Sequence, residues 1–260
     1  MITLKTKAEI AKMREAGRIL ARILERLAEM VEPGITTAEL EMEARRMMKE
    51  ARVEPAFLGQ PGLVADAKPY PAVLCVSVNE EVIHGIPSKR VIKEGDLVSM
   101  DCGVIYDGLI ADAAVSVIAG EGQGMVQRLL ECTKQALYDA IKQARAGSYL
   151  HDISYAIQKR AESEGFGVVR EFCGHGVGRS LHEDPPVPNH GKPGTGPILR
   201  AGMTLAIEPM ITMGSPKVEI LLDKWTVVTA DRLPAAHFEH TIAITDNEPL
   251  VLTSGEKGLW

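Results

Sequence analysis

Two aspartates on a predicted β-hairpin are the residues whose types and spacing most clearly allow chemistry. Asp107-Gly108 lies between apolar, β-branched runs, a strong signal for a two-residue hairpin turn. In that register Gly103 lies opposite Asp112, and Asp101 points to the same face two residues away. Two carboxylates placed diagonally on an apolar hairpin repel each other unless a cation lies between them. The hairpin therefore predicts either a metal site or one aspartate turned to solvent at a strand end.

Three further segments place an acid or an imidazole among apolar strand residues. Glu208 ends the run MTLAIEP, and Glu239 opens the run EHTIAIT. His175 and His182 lie in GHGVGRSLHEDPP, where glycines let the backbone pass close to a bound ion or substrate. Taken one at a time, these residues have ordinary explanations, as solvated glutamates at strand ends and as structural histidines.

Taken together, the two aspartates, the two glutamates and His175 indicate a site for divalent metal ions. Oxygen-rich ligands with one imidazole suit ions of intermediate hardness, such as Mn, Co, Fe or Zn. Five side chains exceed the needs of one tetrahedral ion, so two ions with bridging carboxylates are the simplest assignment. His237 and His240 flank Glu239, and we expect both on the opposite face of its strand, where they would not be ligands.

The elements that must position these residues follow from hydrophobic periodicity. Apolar residues recur at helical spacing in four stretches, and a capping box of Thr36 and Glu39 opens the second. The predicted helices cover residues 10–30, 36–51, about 124–146 and about 152–164. Runs rich in β-branched residues predict strands between and after these helices. The predicted strands cover 73–79, 96–106, 109–118, 168–173, 204–208, 217–222, 226–229 and 239–245.

The order of these elements predicts the fold class. A long helix, a glycine (Gly34, then Gly147), a shorter helix and strands occur twice along the chain. This order indicates an α+β fold with a central antiparallel sheet and helices on one face. Because no Pro-, Gly- or Ser-rich linker divides the chain, we expect a single domain over 1–260, with two related halves at about 1–120 and 121–260.

Composition sets limits on the possible partners. The 260 residues are 45% apolar and 25% charged, as in globular proteins, and the formal net charge is −6. This mildly acidic balance argues against DNA or an anionic membrane as a partner. No stretch approaches the roughly 18 to 20 apolar residues that span a bilayer. The N-terminus lacks the pattern of a signal peptide and the four cysteines form no C-x-x-C pair, so we expect a protein of the reducing cytoplasm.

With these motifs in order, the sequence resembles the type I methionine aminopeptidases over nearly the whole chain. The similar segments are VSVNEEVIHGIP, MDCGVIYDGLIAD, FCGHGVGRSLHEDPPVPNH, GMTLAIEPM, DKWTVVTADR and HFEHTIAIT. The resemblance implies the duplicated pita-bread (creatinase/aminopeptidase) fold of that family and two divalent metal ions per chain. The ligands that it implies are Asp101, Asp112, His175, Glu208 and Glu239.

The resemblance also implies an activity and the residues that perform it. Enzymes of this family remove the N-terminal methionine when the second residue is small, by attack of a hydroxide that two metal ions activate. Glu208 would be the proton shuttle, His182 would stabilise the oxyanion, and His84 would orient the substrate and assist departure of the leaving group. The slot for the methionine side chain would consist of Tyr70, Cys75, Leu181 and Trp225.

The expected partners follow from that substrate class. The implied substrates are the N-termini of nascent polypeptides, so transient association with the ribosome is expected. We expect a monomer, with no DNA and no membrane partner.

Departures from the family pattern concern the surroundings of the ligands. Gly103 and Ala113 stand where many members carry threonine, so ligand orientation and metal affinity are expected to differ. The segment 58–71 is longer and less aromatic than its counterpart in the family, and Leu63 and Val64 have no clear equivalent there.

Three alternatives to this function stay open on the sequence alone. An Xaa-Pro peptidase shares the fold and the five ligands, although such enzymes usually carry a separate N-terminal domain. A catalytically inactive relative could keep the fold as a binding module, although all five ligands are present. An iron oxygenase built on His175 and His182 would leave the remaining acids unexplained.

Overall fold

The computed structural model describes residues 2–62, 64 and 66–260, and these form four helices and fifteen strands. The helices are α1 (Lys7–Met30), α2 (Thr37–Ala51), α3 (Gly124–Ile141) and α4 (Leu150–Ser163). The strands are β1 (Glu54–Pro55), β2 (Leu74–Val78), β3 (Glu81–Ile83), β4 (Leu97–Tyr106), β5 (Leu109–Ile118), β6 (Gly167–Val168), β7 (Cys173–Gly176), β8 (Glu183–Pro188), β9 (Thr204–Ile207), β10 (Met210–Thr212), β11 (Val218–Ile220), β12 (Val227–Thr229), β13 (Ala235–His237), β14 (Glu239–Ala243) and β15 (Leu250–Val251).

One large sheet forms the centre of the fold. Within the described residues its strands follow the order β1-β4-β5-β14-β9-β7-β8, with β2 added at β4 and β15 added at β14. Two smaller sheets, β13-β10-β6 and β11-β12-β3, lie beside it. Every strand pair described is antiparallel, so the expected α+β class with an antiparallel sheet is confirmed.

The predicted hairpin register is confirmed residue by residue. Tyr106 pairs with Leu109, and Gly103 pairs with Asp112. Asp107 and Gly108 therefore form the two-residue turn, and both have positive φ angles, 50° and 75°, as a type I′ turn requires. The long β4–β5 hairpin thus places Asp101 and Asp112 on one face of the sheet.

Capping and packing account for the first two helices. The side chains of Thr6 and Thr36 accept hydrogen bonds from the backbone N–H groups of Glu9 and Glu39, whose carboxylates bond back to the cap residues. Helix α1 then packs across β4 and β5. At Gly17 the helix also contacts the backbone that follows β15, and an added Cβ atom there would lie 2.1 Å from the carbonyl oxygen of Leu252.

The layers separate a helix-side core from the face that carries the ligands. The largest hydrophobic cluster joins apolar residues of all four helices to one face of the sheet, among them Leu24, Leu40, Leu137 and Ile157. A second cluster lies where the predicted pocket residues are, and it includes Trp225. The helical layer therefore supports the sheet and leaves its other face available for a site.

The structure differs from the sequence-based elements at several places, and the short strands β1, β3, β10, β13 and β15 were not predicted at all. Helix α3 ends at Ile141 and not near Ala146, because the backbone N–H groups of residues 143–145 bond to carbonyls two or three residues back. The single strand predicted over 168–173 is two strands, since β6 joins a small sheet and β7 joins the large one. Strand β8 was not predicted, because its sequence, EDPPVP, contains three prolines.

Among the described residues, no helix combines the length and apolar character needed to cross a membrane. The large sheet takes strands from both parts of the chain, with β5 paired to β14. The division into halves at about 1–120 and 121–260 stays a prediction.

The close contact at Gly17 gives a stability prediction. Alanine has a higher helix propensity than glycine by about 1 kcal/mol. However, its Cβ would overlap the backbone at Leu252, and such overpacking typically costs about 1–3 kcal/mol. We therefore expect Gly17→Ala to lower the free energy of unfolding, measured by denaturant titration. The control is Ala11→Gly on the exposed side of the same helix, which should lose only the propensity difference. A stabilised Gly17→Ala protein would contradict the packing of α1.

Candidate active site

The first row of ligands runs across the large sheet, perpendicular to its strands. Asp101 on β4 pairs with Ala114 on β5, and Ala114 pairs with Glu239 on β14. The register of β14 with β9, continued by one residue, sets Glu208 opposite Glu239. On the outer side Cys75 of β2 pairs with Asp101. Three of the four acids therefore lie in a single cross-strand row.

The second row lies two residues further along the same strands and on the same face. Gly103 pairs with Asp112, and Ala206 on β9 pairs with Thr241 on one side and with His175 on the other. Thr241 links the middle of this row, because its Oγ1 accepts from the Asp112 backbone N–H at 2.9 Å and donates to the Asp112 carbonyl at 2.7 Å. The second row thus supplies the remaining acid and the imidazole.

Small residues between the ligands leave room for ions. Gly103, Ala114 and Ala206 separate the ligand side chains, and the two alanines are fully buried. Rows two residues apart are about 7 Å apart along a strand, and neighbouring strands are about 5 Å apart. Ligand atoms of Asp112, His175 and Glu239 consequently lie within 4.8 Å of one another. His175 Nε2 also lies 3.6 Å from Glu208 Oε1.

Burial raises the pKa values of the four carboxylates. Desolvation raises the pKa of Asp101 to about 7. It also raises the pKa of Asp112, Glu208 and Glu239 well above the usual range, and the negative charges of the neighbouring acids raise each of them further. Carboxylates that are both buried and close together need either protons or cations.

The donor set fits divalent cations. Among the described residues, Asp101 Oδ1, Asp112 Oδ1 and Glu239 Oε1 are buried oxygens without a hydrogen-bond partner. His175 Nδ1 lies 2.9 Å from the carbonyl oxygen of Gly176, so Nδ1 carries the proton and the Nε2 lone pair is available to a metal. Unpartnered carboxylate oxygens beside a free imidazole nitrogen are the arrangement that a metal ion of intermediate hardness would satisfy.

Two predicted catalytic histidines border the same cavity, whose volume is about 500 Å³. His84 follows β3 with a φ of 61°, a strained backbone conformation of the kind found at functional sites. Its Nδ1 has no hydrogen-bond partner within the described part of the chain, and burial and nearby His182 lower its pKa to about 4. His182 is exposed at the opening, with its ring centroid 4.5 Å from that of His175. Both imidazoles are therefore neutral near pH 7.

The predicted methionine slot is a cluster of apolar side chains on the cavity wall. The Tyr70 and Trp225 rings meet edge to face with centroids 5.0 Å apart. Trp225 Nε1 donates to the carbonyl oxygen of Lys68 at 2.8 Å, which anchors the indole to segment 58–71. Cys75 and Leu181 complete the wall, and both are buried. All four predicted slot residues therefore line the cavity.

The cavity has further wall residues that the sequence analysis did not identify. The apolar ones are Phe57, Phe172, Ile83 and Ile220, together with Val64 from the atypical segment. Leu63 lies outside the described residues. Phe57 lies outside every predicted element, and Phe172 lies within the strand predicted over 168–173. Both reach the cavity from loops, and no local sequence pattern specifies the path of a loop.

The predicted strand face is wrong for His237 and agrees with the structure for His240. His237 is two residues from Glu239, and side chains two apart along an extended chain share a face, so the opposite face was the wrong expectation for it. His237 Nε2 lies 3.8 Å from Glu208 Oε2. Burial lowers the pKa of His237 to about 3. His240 lies away from the ligands and is hydrogen-bonded through Nδ1 to Thr253 at 2.8 Å.

Gly103 and Ala113 have different surroundings. A Cβ atom at Gly103 would lie 2.9 Å from both Ala56 Cβ and Phe57 Cε1 and 3.4 Å from Asp112 Oδ1, so Ala56 and the Phe57 ring fill the space that a side chain would need. Ala113 is in the helix-side core, on the opposite face from the ligands. The effect of these two departures on metal affinity stays a prediction. Of the two positions, only Gly103 lies on the ligand face, beside Asp112, so an effect on affinity is expected there.

Comparison with known proteins gives a consistent result. The sequence profile of metallopeptidase family M24 matches residues 11–246. The methionine aminopeptidase of Aquifex aeolicus is 49% identical over 255 residues, which cover 97% of this chain and 98% of that protein. A crystal structure of methionine aminopeptidase from Thermotoga maritima superimposes with a TM-score of 0.94 at 48% identity, covering 98% of this chain and 100% of that one.

A more distant likeness concerns the fold alone. The prolidase of Pyrococcus horikoshii superimposes with a TM-score of 0.77 at 23% identity, over 99% of this chain and 65% of that one. Together with the Thermotoga maritima structure, this likeness confirms the pita-bread fold that the resemblance implied.

Charge repulsion among the ligands predicts opposite effects of Asp112→Asn with and without metal. In metal-free protein an amide at this position has no charge to repel its neighbours and needs no proton, so we expect the melting temperature to rise by about 2–4 °C for each kcal/mol of relieved strain. With Mn²⁺ present, wild type should be stabilised more, because it binds the ion more tightly. Differential scanning calorimetry with and without chelator measures both. Equal metal-dependent stabilisation of the two proteins would contradict the role of Asp112.

The contact between Gly103 and Phe57 predicts a coupled pair of substitutions. We expect Gly103→Thr to lower the free energy of unfolding by about 1–3 kcal/mol, because the new side chain overlaps the Phe57 ring. Phe57→Ala alone should also destabilise, by opening a cavity. In the double variant part of the loss should be recovered, which a double-mutant cycle by denaturant titration measures. Strictly additive losses would contradict the contact.

Proposed function

The chain belongs to metallopeptidase family M24, and on that premise we propose that it removes the N-terminal methionine from nascent polypeptides whose second residue is small. It is a metallo-aminopeptidase by its likeness to methionine aminopeptidases along its full length. The observation that supports the proposal most directly is the pair of rows on the sheet. They bring two buried carboxylates (Asp112 and Glu239), two half-buried ones (Asp101 and Glu208) and a metal-competent imidazole to a cavity with an apolar slot.

Asp101, Asp112, His175, Glu208 and Glu239 would hold two divalent ions. When bound, the ions supply Lewis-acid activation of water and of the scissile carbonyl. Their identity in the cell, whether Co, Mn, Fe or Zn, depends on availability as well as on these ligands.

The chain's own groups account for proton movement and charge stabilisation. Glu208 has an oxygen on either side, one near His175 and the other near His237, and it accepts a proton and passes it to the leaving amine. His182 donates a hydrogen bond to the developing oxyanion, as a neutral imidazole can. His84, held by its strained backbone, orients the substrate amide and assists departure of the leaving group.

The slot determines the selectivity at the first residue. Tyr70, Cys75, Leu181 and Trp225 form an apolar, largely buried wall that suits an unbranched thioether side chain. Anchored aromatic rings limit how far this wall can open, because both Tyr70 and Trp225 are fixed by hydrogen bonds to backbone carbonyls. The same enclosure restricts the second substrate residue to small types.

The remaining parts of the proposal concern cellular context. Nascent chains as substrates imply the cytoplasm and transient association with the ribosome. We also propose a monomer that forms one catalytic domain over 1–260 with two related halves. The alternatives are less well supported: the likeness to a prolidase is one of fold, an inactive relative would not need all five ligands, and an iron oxygenase leaves the acids unexplained.

Peptide turnover tests the proposed function. Protein loaded with Mn²⁺ should release methionine from Met-Gly-Met, and release from Met-Leu-Met should be slower by about tenfold or more, because the enclosed cavity excludes the larger second residue. Gly-Pro should not be cleaved. Products are measured by liquid chromatography with mass spectrometry, and chelator-treated protein is the control. Cleavage of Gly-Pro without release of methionine would contradict the proposal and favour an Xaa-Pro peptidase.

A further inference from the structure

His237 is a buried histidine to which the proposed mechanism gives no role. Its side chain is 1% exposed, and within the described residues its Nε2 has no hydrogen-bond partner. A buried donor or acceptor without a partner typically costs about 1–3 kcal/mol. The nearest acidic group described is Glu208, whose Oε2 lies 3.8 Å away.

Two hydrogen bonds with the Ser116 side chain hold the backbone of His237. Ser116 Oγ accepts from the His237 N–H at 3.1 Å and donates to the His237 carbonyl at 2.7 Å. Because that hydroxyl has one proton, Ser99 must be the donor in the 2.7 Å Ser99–Ser116 contact. The serine pair therefore uses its hydrogen-bonding capacity to hold His237 in place.

The two oxygens of Glu208 have different imidazole neighbours. His175 Nε2 lies 3.6 Å from Oε1, but that nitrogen has no proton, since Nδ1 donates to Gly176. His175 therefore cannot hydrogen-bond to Glu208 while it keeps this tautomer. His237 is the imidazole that can donate to the second oxygen, Oε2.

We propose that His237 is a positioning residue for Glu208, donating from Nε2–H to Glu208 Oε2 so that Oε1 stays directed at the ligand cluster. The hydrogen bond requires the two atoms to approach by about 1 Å from their present separation. The predicted effect of His237 on turnover rests on the proposed function. Its predicted effect on metal binding does not, because that effect depends only on the five proposed ligands.

Two substitutions separate hydrogen bonding from space filling. His237→Gln keeps a side-chain N–H donor, whereas His237→Leu removes it at similar volume. We expect His237→Leu to weaken Mn²⁺ binding to metal-free protein by about 10–100-fold, as loss of a hydrogen bond to a metal ligand typically does. Its kcat for Met-Gly-Met should fall while KM stays near the wild-type value. His237→Gln should remain close to wild type in both.

Isothermal titration with Mn²⁺ and steady-state kinetics give these readouts, and His240→Gln is the matched control. His240 is equally buried but is bonded to Thr253, away from the ligands, so its substitution should leave Mn²⁺ affinity unchanged. Wild-type Mn²⁺ affinity in His237→Leu, or equal losses in the Gln and Leu variants, would overturn the proposal. If the wild type released no methionine, the proposed function would fail, and the Mn²⁺ titrations would still decide the role of His237.

A measurement on the wild-type protein does not depend on any variant folding. Nitrogen-15 NMR of histidine-labelled protein loaded with Zn²⁺ distinguishes the two neutral tautomers of each imidazole. We expect the Nε2–H tautomer for His237. The Nδ1–H tautomer would leave no proton for Glu208 and would overturn the proposal.

Discussion

The fold depends on the placement of four carboxylates on one buried face of a sheet. Desolvation raises the pKa of each of them, and repulsion by neighbouring acids raises the pKa of Asp112, Glu208 and Glu239 further, so the metal-free arrangement is under electrostatic strain. Carboxylates are rarely buried in a protein core unless a cation balances their negative charge. The apolar layer of helices on the other face supplies the burial energy that holds the acids together. This face therefore needs protons or cations to be stable, and the proposed metal ions would meet that need.

Strand register determines which side chains lie together on this face. Because side chains alternate along a strand, residues two apart share a face, and the antiparallel partners align them across the sheet. Asp101 and Glu239 flank Ala114 in one row, while Asp112 and His175 lie in the next. A shift of one residue in any of these strands would turn a ligand into the helix-side core. The tight Asp107-Gly108 turn and the Thr241 link therefore matter to the site as much as to the fold.

The sequence predicted those parts of the structure that follow from local rules. The hairpin register and the capping box of Thr36 and Glu39 depend on neighbouring residues, and the structure agrees with both. The residues of the implied ligand set came from recognisable motifs, and their role as ligands stays a proposal. Alternation alone would have placed His237 on the face of Glu239, two residues away, but its approach to Glu208 depends on the pairing of β14 with β9. Phe57 reaches Gly103 because β1 pairs with β4. Such contacts arise from tertiary packing, which local propensity does not specify.

The central claim is that the two rows form one site for divalent ions. Crystals of Mn²⁺-loaded protein, with anomalous diffraction to locate the metal, test it directly. The account predicts anomalous peaks between the rows, within about 2.0–2.5 Å of oxygen or nitrogen atoms of Asp101, Asp112, His175, Glu208 and Glu239. Crystals grown with saturating Mn²⁺ that had no peak on this face, or had the metal bound by other residues, would contradict it.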